Sequence, residues 1–144
     1  MGMDNIVVDS SVVIKWFVVE PFSTEAHRIL DGYQAGVFTL HAPDLIHAEF
    51  GNIVWKKQRF QGLSAVDAQQ IIDTFRQLAF VATPTADLLD EAYRLAVAHE
   101  RTVYDALYIA LSVREQCLYV TADEKLFNAL RATFPNIRWV ADWQ

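Results

Sequence analysis

Near the start of the chain stands Ile6-Val7-Val8-Asp9-Ser10-Ser11, and this stretch decides the fold class. Three consecutive β-branched residues without polar alternation are typical of a strand buried on both faces, as the strands of parallel sheets are. An aspartate follows at once, and then two serines, which are residue types that favour the start of a helix. The stretch therefore predicts a buried strand that runs directly into a helix.

The rest of the chain repeats this alternation of short apolar runs and longer stretches of helical period. Further strands are predicted over residues 38–42, 80–82, 118–121 and 137–140. Helices are predicted over residues 10–17, 23–35, 44–60, 64–78, 86–99, 103–116 and 124–132. Asp44 and Ser64 are the predicted N-caps of the third and fourth of these helices. Strands separated by helices indicate a parallel sheet that is covered on both faces. The predicted fold class is therefore α/β, a three-layer α/β/α sandwich with a central parallel sheet of about five strands, in one domain over residues 1–144.

The composition of the chain excludes several classes of protein. Of its 144 residues, 53% are hydrophobic and 21% are charged, which suits a folded domain and not a disordered segment. Cys117 is the only cysteine, so an internal disulfide framework is excluded and a reducing cytoplasm is the expected location. No apolar stretch reaches the roughly 20 residues that cross a bilayer, and neither a signal peptide nor a membrane partner is expected.

Four carboxylates stand at positions where solvent is not expected. Asp9 and Asp123 follow predicted strands, Asp105 lies in the first turn of the most apolar predicted helix, and Glu49 interrupts the apolar face of helix 44–60. Ligands of such sheets bind outside the carboxyl ends of the strands, so we expect the four acids to converge there. A divalent cation would remove their mutual repulsion, and ligands that are all oxygen favour Mg²⁺ or Mn²⁺ over zinc.

Each acid also has a purely structural explanation. Asp9 and Asp123 could cap the helices that follow them, because aspartate is among the best N-cap residues. Asp105 could complement its helix dipole, with Thr102 as the N-cap three residues earlier. Glu49 could pair with a basic residue on a neighbouring helix. The joint occurrence of all four favours the cation site, and an Mg²⁺ ion that keeps bound waters suits phosphodiester hydrolysis.

The charge of the chain does not by itself indicate a nucleic-acid binder. Its formal net charge is -6, whereas nucleic-acid binders usually carry a basic excess. Setting the four acids aside leaves fourteen acids against twelve bases. RNA could then be contacted by a few basic and aromatic residues on two predicted helices, namely Lys15, Trp16, Lys56, Lys57 and Arg59. A solvated helix face, or the core in the case of Trp16, is the alternative place for each of them.

Four segments around the acids carry a more specific signal. They are Val7-Val8-Asp9-Ser10-Ser11-Val12 with Lys15-Trp16-Phe17, Ala48-Glu49-Phe50, Val103-Tyr104-Asp105-Ala106-Leu107-Tyr108-Ile109-Ala110-Leu111, and Val120-Thr121-Ala122-Asp123-Glu124-Lys125-Leu126. In this order and spacing, the chain resembles the PIN-domain ribonucleases, and more closely the VapC-type toxins. The resemblance extends over almost the whole chain, from about residue 6 to about residue 140.

The resemblance implies an endoribonuclease that depends on Mg²⁺ or Mn²⁺ and cuts single-stranded or loop RNA. It also implies neutralisation by a cognate antitoxin and assembly into a homodimer. Because Asp9, Glu49, Asp105 and Asp123 match the acidic positions of the family's motifs, the resemblance implies that they form the acidic site. Ser10 and Thr121 match the small hydroxyl positions that support this site.

A non-catalytic module that binds RNA or a peptide is the second hypothesis, in which the acidic cluster holds a structural metal or an Arg-rich peptide and does no chemistry. Two other acid-rich α/β classes do not fit the sequence. A phosphatase of the haloacid dehalogenase type needs a second aspartate two residues after the first, where Ser11 stands. A receiver domain needs an acceptor aspartate at the end of a middle strand, whereas residues 80–82 lead into Thr83-Pro84.

Overall fold

The computed structural model describes residues 4–144, which contain one five-stranded sheet. Its strands are β1 (Asp4–Val8), β2 (Phe38–Pro43), β3 (Val81–Thr83), β4 (Leu118–Thr121) and β5 (Ile137–Trp139). They lie in the order β3-β2-β1-β4-β5, and every neighbouring pair is parallel. The predicted parallel sheet of five strands is confirmed.

Seven α-helices flank this sheet within the described residues. They are α1 (Ser10–Val13), α2 (Ser23–Gln34), α3 (Leu45–Phe60), α4 (Ala65–Arg76), α5 (Thr85–His99), α6 (Val103–Glu115) and α7 (Glu124–Leu130). The first helix is shorter than predicted, because its last part is a tighter 3-10 turn over Ile14–Trp16. A second such turn, Val140–Asp142, begins where the last strand was predicted to end. None of the helices in this part of the chain is long and apolar enough to span a membrane.

The order of the strands places β1 in the middle of the sheet. From β1 the chain moves outward to β2 and β3, and then crosses back so that β4 pairs with the other side of β1. The direction of winding therefore changes between β1 and β4. In open parallel sheets, the crevice at such a change of direction is the usual ligand site. Asp9 directly follows β1, and Asp123 follows β4 by two residues.

Helix α6 is the most deeply buried helix of the structure. Its residues 106–112 are all buried, in contrast to the one-sided burial of a surface helix. It packs against β1, β2 and β4, and it also lies along α5. Because α6 is fixed on so many sides, a side chain in its first turn is held in a defined position relative to the ends of the strands.

Two of the predicted helix caps have different outcomes. The Ser64 hydroxyl accepts the backbone N–H of Asp67 at 3.1 Å, so the predicted cap of α4 is confirmed. Asp44 does precede α3, but its side chain makes no capping bond to that helix. Its carboxylate instead accepts the backbone N–H of Thr85 at 3.1 Å, at the start of α5. Asp44 thereby links the starts of two helices that are distant in sequence.

Candidate active site

The four predicted acids line a single cleft of about 180 Å³ at the carboxyl edge of the sheet. They come from four separate elements, since Asp9 follows β1, Glu49 lies in α3, Asp105 lies in α6 and Asp123 precedes α7. The other lining residues are Ser10, Ser11, Tyr108, Tyr119 and Leu126. Folding therefore brings together carboxylates that are widely separated in the sequence.

Asp9 is held by hydrogen bonds on both of its carboxylate oxygens. Its Oδ1 accepts the backbone N–H groups of Ser11 at 3.1 Å and Val12 at 3.3 Å, and it also accepts the Ser11 hydroxyl. Its Oδ2 accepts the hydroxyls of Tyr119 at 2.7 Å and Thr121 at 2.6 Å. The side chain is 8% exposed. A buried carboxylate with donors on both sides has a fixed orientation.

Glu49 is half-buried and is bonded to a tyrosine. The Tyr108 hydroxyl donates to its Oε1, and no ion pair to Glu49 occurs among the described residues. The alternative explanation of a basic partner for Glu49 is therefore wrong. The ring of Tyr108 stacks on that of Tyr119, with centroids 5.8 Å apart and planes 13° apart. Since Tyr119 donates to Asp9, a stacked pair of tyrosines connects two acids of the cleft.

Asp105 and Asp123 are both associated with helix caps. The Thr102 hydroxyl accepts the backbone N–H of Asp105 at 3.1 Å, as the sequence predicted for the start of α6. The Asp123 carboxylate accepts the backbone N–H of Leu126 at 3.1 Å, and so caps α7. The Thr121 hydroxyl oxygen accepts the backbone N–H of Asp123 at 3.1 Å. Capping and a place in the cleft are thus compatible, and the structural explanation does not replace the functional one.

Three of these acids have a pKa above its ordinary value. Burial raises the pKa of Asp9. Burial, followed by the charges of Asp9 and Asp105, raises the pKa of Glu49. Burial, followed by the charges of Asp123 and Asp9, raises the pKa of Asp105, although the nearby positive charge of Arg101 partly opposes this. None of the four acids forms an ion pair within residues 4–144. The cleft therefore concentrates negative charge that the protein itself offsets only in part, through Arg101.

Removing one of these charges is expected to stabilise the metal-free protein at neutral pH. The pKa of Asp105 is raised above its ordinary value of 3.8 in the folded state. Such a group contributes stability that is present below its unfolded pKa and is lost as pH rises through its folded pKa. Asp105→Asn removes this loss, so the variant should gain stability relative to the unmodified protein as pH rises above 3.8. Urea denaturation in EDTA, at about pH 4 and about pH 7, measures the difference.

The control for this measurement is Asp90→Asn, which changes an exposed carboxylate of α5 that does not line the cleft. Its free energy of unfolding should follow that of the unmodified protein at both pH values. Equal stability of Asp105→Asn and the unmodified protein at neutral pH would contradict the inferred repulsion between the acids.

The donor set of the cleft fits a hard divalent cation. All four candidate ligands are carboxylates, and Mg²⁺ and Mn²⁺ prefer oxygen ligands. In the part of the chain that the structure describes, no three His, Cys, Asp or Glu side chains are already arranged to hold a metal ion. The four carboxylates line the cleft without forming such a group, so they would have to move closer together to hold a cation.

The hydroxyl groups of the site differ in part from those expected. Thr121 contacts Asp9 as a supporting residue should, and it is fully buried. Ser10 lines the cleft, but the hydroxyl that bonds to Asp9 and accepts the N–H of Ala122 at 3.0 Å belongs to Ser11. Sequence reasoning did not assign roles to Ser11, Tyr108 or Tyr119. A signal for Tyr108 was present, because a residue three positions after Asp105 shares its helix face.

Trp16 is not available to stack on RNA, and that prediction is wrong. Its side chain is 8% exposed, and its indole N–H donates to the carbonyl oxygen of Ala26 at 2.7 Å. Trp16 faces the core because α2 packs directly on the 3-10 turn Ile14–Trp16. The alternative of a core position is therefore correct.

Lys15 and Lys57 form an ion-paired bridge and do not project into solvent. Both bind Glu20, with Nζ to carboxylate distances of 3.2 Å for Lys15 and 2.8 Å for Lys57. The predicted RNA contact of Lys15 is wrong, because its side chain is buried and its charge is already paired. Lys57 is similarly occupied. Lys56 and Arg59 remain exposed, as an RNA contact requires.

A larger cleft of about 380 Å³ lies at the amino-terminal edge of the same sheet. The acids that line it are Asp4 and Glu115, and none of the four clustered carboxylates reaches it. It also contains Cys117, whose thiol pKa is raised to about 11 by burial and by the charge of Glu115. A thiol that stays protonated is a poor nucleophile. The smaller cleft is therefore the better candidate for chemistry.

Comparison with known proteins identifies the family. Residues 6–132 match the PIN domain family. The chain belongs to this family. Ribonuclease VapC3 of Pyrobaculum aerophilum is 32% identical over 124 residues, which cover 85% of this chain and 92% of that protein. Ribonuclease VapC9 of Mycobacterium tuberculosis is 29% identical over 96 residues, which cover 67% of this chain and 74% of that protein.

Solved structures show the same fold at lower sequence identity. The crystal structure of PAE2754 from Pyrobaculum aerophilum has a TM-score of 0.69 at 23% identity, and the alignment covers 96% of this chain and 85% of that one. VapC20 of Mycobacterium tuberculosis, a sarcin-ricin loop cleaving toxin, has a TM-score of 0.64 at 17% identity, with coverage of 92% and 98%. The predicted assignment to the PIN-domain ribonucleases of VapC type is confirmed.

Proposed function

We propose that this VapC-type endoribonuclease binds Mg²⁺ or Mn²⁺ through Asp9, Glu49, Asp105 and Asp123 and hydrolyses RNA in the cleft that they line. The strongest support is that four carboxylates, from four parts of the chain, line one cleft. None of the four forms an ion pair with another described residue. Burying charges of one sign together costs stability, and a divalent cation offsets that cost.

The chain's own groups would prepare the site for hydrolysis. A bound divalent cation supplies a Lewis acid for a phosphate oxygen and lowers the pKa of a bound water. Thr121 holds Asp9 and positions the backbone of Asp123, so it aligns two candidate ligands at once. Tyr108 occupies Oε1 of Glu49, while Oε2 has no protein donor among the described residues. This free oxygen is in place to bind the cation or to orient the attacking water.

RNA and protein partners belong to the same proposal. Hydrolysis of RNA requires a single-stranded or loop segment to reach the cleft, and the exposed Lys56 and Arg59 are in place to contact its phosphates. Similarity to the VapC ribonucleases supports a cognate antitoxin as the regulating partner, and it also supports a homodimer.

Incubation of the purified protein with a mixed RNA pool tests the proposed function. We expect RNA fragments in the presence of Mg²⁺ or Mn²⁺ and none when EDTA removes the cation. Asp90→Asn serves as the matched control, because it changes an exposed carboxylate outside the cleft and should cleave as the unmodified protein does. Retention of RNA without fragments, under all metal conditions, would support the non-catalytic binding module instead.

A further inference from the structure

An exposed group of aromatic and basic side chains occupies the carboxyl-terminal end of α3. Trp55 is 54% exposed and Phe60 is 67% exposed, and their rings meet edge to face with centroids 5.9 Å apart. The guanidinium of Arg59 lies over the ring of Phe60, 5.1 Å from its centroid. Lys56, next to Trp55 in the helix, is also exposed. These four residues are called the α3 cluster below.

Part of the α3 cluster lies on the same side of the helix as Glu49. Lys56 and Phe60 follow Glu49 by seven and eleven residues, so both point within about 20° of its direction around the helix axis. The rise of an α-helix places them about 10 Å and about 16 Å beyond Glu49 along that axis. An RNA strand with a phosphate in the acidic cleft could therefore continue along this side of α3.

The stretch of sequence that contains the α3 cluster has an excess of positive charge, although the chain as a whole is negative. Residues 50–66 contain Lys56, Lys57 and Arg59 but no aspartate or glutamate. Lys57 is paired with Glu20, whereas Lys56 and Arg59 have no ion pair within the described residues. Cations interleaved with exposed rings fit a ligand that carries both phosphates and bases, and such surfaces bind single-stranded nucleic acid. An acidic peptide would use the cations but not the stacking faces.

We propose that the α3 cluster is a binding surface for the single-stranded part of the RNA substrate. Bases stack on Trp55 and Phe60, and Lys56 and Arg59 contact the phosphates between them. The inference rests on the proposed ribonuclease function, and it adds the path that the RNA follows away from the cleft. It also replaces Trp16, which is buried, by Trp55 as the aromatic contact.

Fluorescence anisotropy of a short labelled single-stranded RNA tests this surface, in EDTA so that the RNA is not cut. Phe60→Ala and Trp55→Ala are each expected to raise the Kd at least about fivefold, because stacking on aromatic rings contributes much of such binding. Tyr93→Ala removes an aromatic ring of α5 that is 61% exposed, and it should leave the Kd unchanged. Lys56→Gln and Arg59→Gln should each lower the slope of log Kd against log salt concentration by about 0.7.

Two further measurements separate stacking from a general loss of structure. Trp55→Phe keeps an aromatic face and should retain most of the RNA affinity that Trp55→Ala loses. All variants should keep the Mn²⁺ affinity of the unmodified protein, because the α3 cluster does not line the acidic cleft.

The possible outcomes separate failure of the proposed RNA surface from failure of the proposed ribonuclease function. An unchanged Kd in both Phe60→Ala and Trp55→Ala would overturn the proposal, and so would the absence of saturable RNA binding by the unmodified protein. Loss of self-association or of antitoxin binding in these variants, at unchanged RNA affinity, would assign the α3 cluster to a protein partner instead. Failure of the ribonuclease function has a different signature, which is the absence of RNA fragments under all metal conditions while the unmodified protein still binds RNA.

Discussion

Asp105→Asn is expected to reduce metal-dependent RNA cleavage by more than about 100-fold, a larger loss than the roughly 10–100-fold that follows removal of an outer partner of a metal ligand. The substitution preserves the volume of the side chain but removes its charge from the cleft. Asp105 is half-buried in the first turn of α6, a helix whose following residues 106–112 are packed on all sides. The fold should therefore persist, and the rate of fragment formation should fall while the melting temperature does not.

Asp105 is a cleaner position for this test than Asp9. The Asp9 carboxylate accepts several buried hydrogen bonds, including those from Tyr119 and Thr121. An amide at position 9 would present a donor where one carboxylate oxygen now accepts, so Asp9→Asn mixes a chemical effect with a structural one. Full cleavage by Asp105→Asn, with the same fragments and the same metal dependence as the control Asp90→Asn, would remove Asp105 from the mechanism.

The sheet was predictable because burial on both faces leaves a direct trace in the sequence. Runs such as residues 6–8 and 118–121 contain no polar alternation, which is typical of strands in a parallel sheet that helices cover on both faces. The bounds of the first helix were less predictable. Whether residues 14–16 continue α1 or tighten into a 3-10 turn depends on packing against α2, which is a tertiary contact with no local signal.

The acids of the site were predictable, but their hydrogen-bond partners were not. A charge in an apolar stretch, such as Glu49, violates the expected pattern and is therefore visible in the sequence. A tyrosine in an apolar stretch does not violate this pattern. The sequence therefore predicts an ordinary core residue at Tyr119, although its hydroxyl donates to Asp9. The same ambiguity explains the error over Trp16, because an amphipathic aromatic residue suits the core and a binding surface equally.

Tyr108→Phe is expected to weaken Mn²⁺ binding by about 10–100-fold, as loss of a hydrogen-bond partner of a metal ligand typically does. The substitution removes only the hydroxyl that donates to Glu49 and keeps the ring that stacks on Tyr119. Without this bond, Glu49 is free to adopt other rotamers and must be ordered when the cation binds. Titration of Mn²⁺ followed by electron paramagnetic resonance measures the affinity without RNA. Tyr104→Phe, which removes a hydroxyl from a side chain that is 62% exposed, should bind Mn²⁺ normally.

A double-mutant cycle shows whether Tyr108 acts through Glu49 or through the packing of the core. If the hydroxyl serves to position the carboxylate, Tyr108→Phe should have little further effect on Mn²⁺ affinity once Glu49→Gln is present, because the two groups are in direct contact. Additive effects would mean that the stacked tyrosines influence the cleft by another route, such as the bond from Tyr119 to Asp9. Mn²⁺ affinity unchanged in Tyr108→Phe itself would show that the Glu49 carboxylate needs no such support.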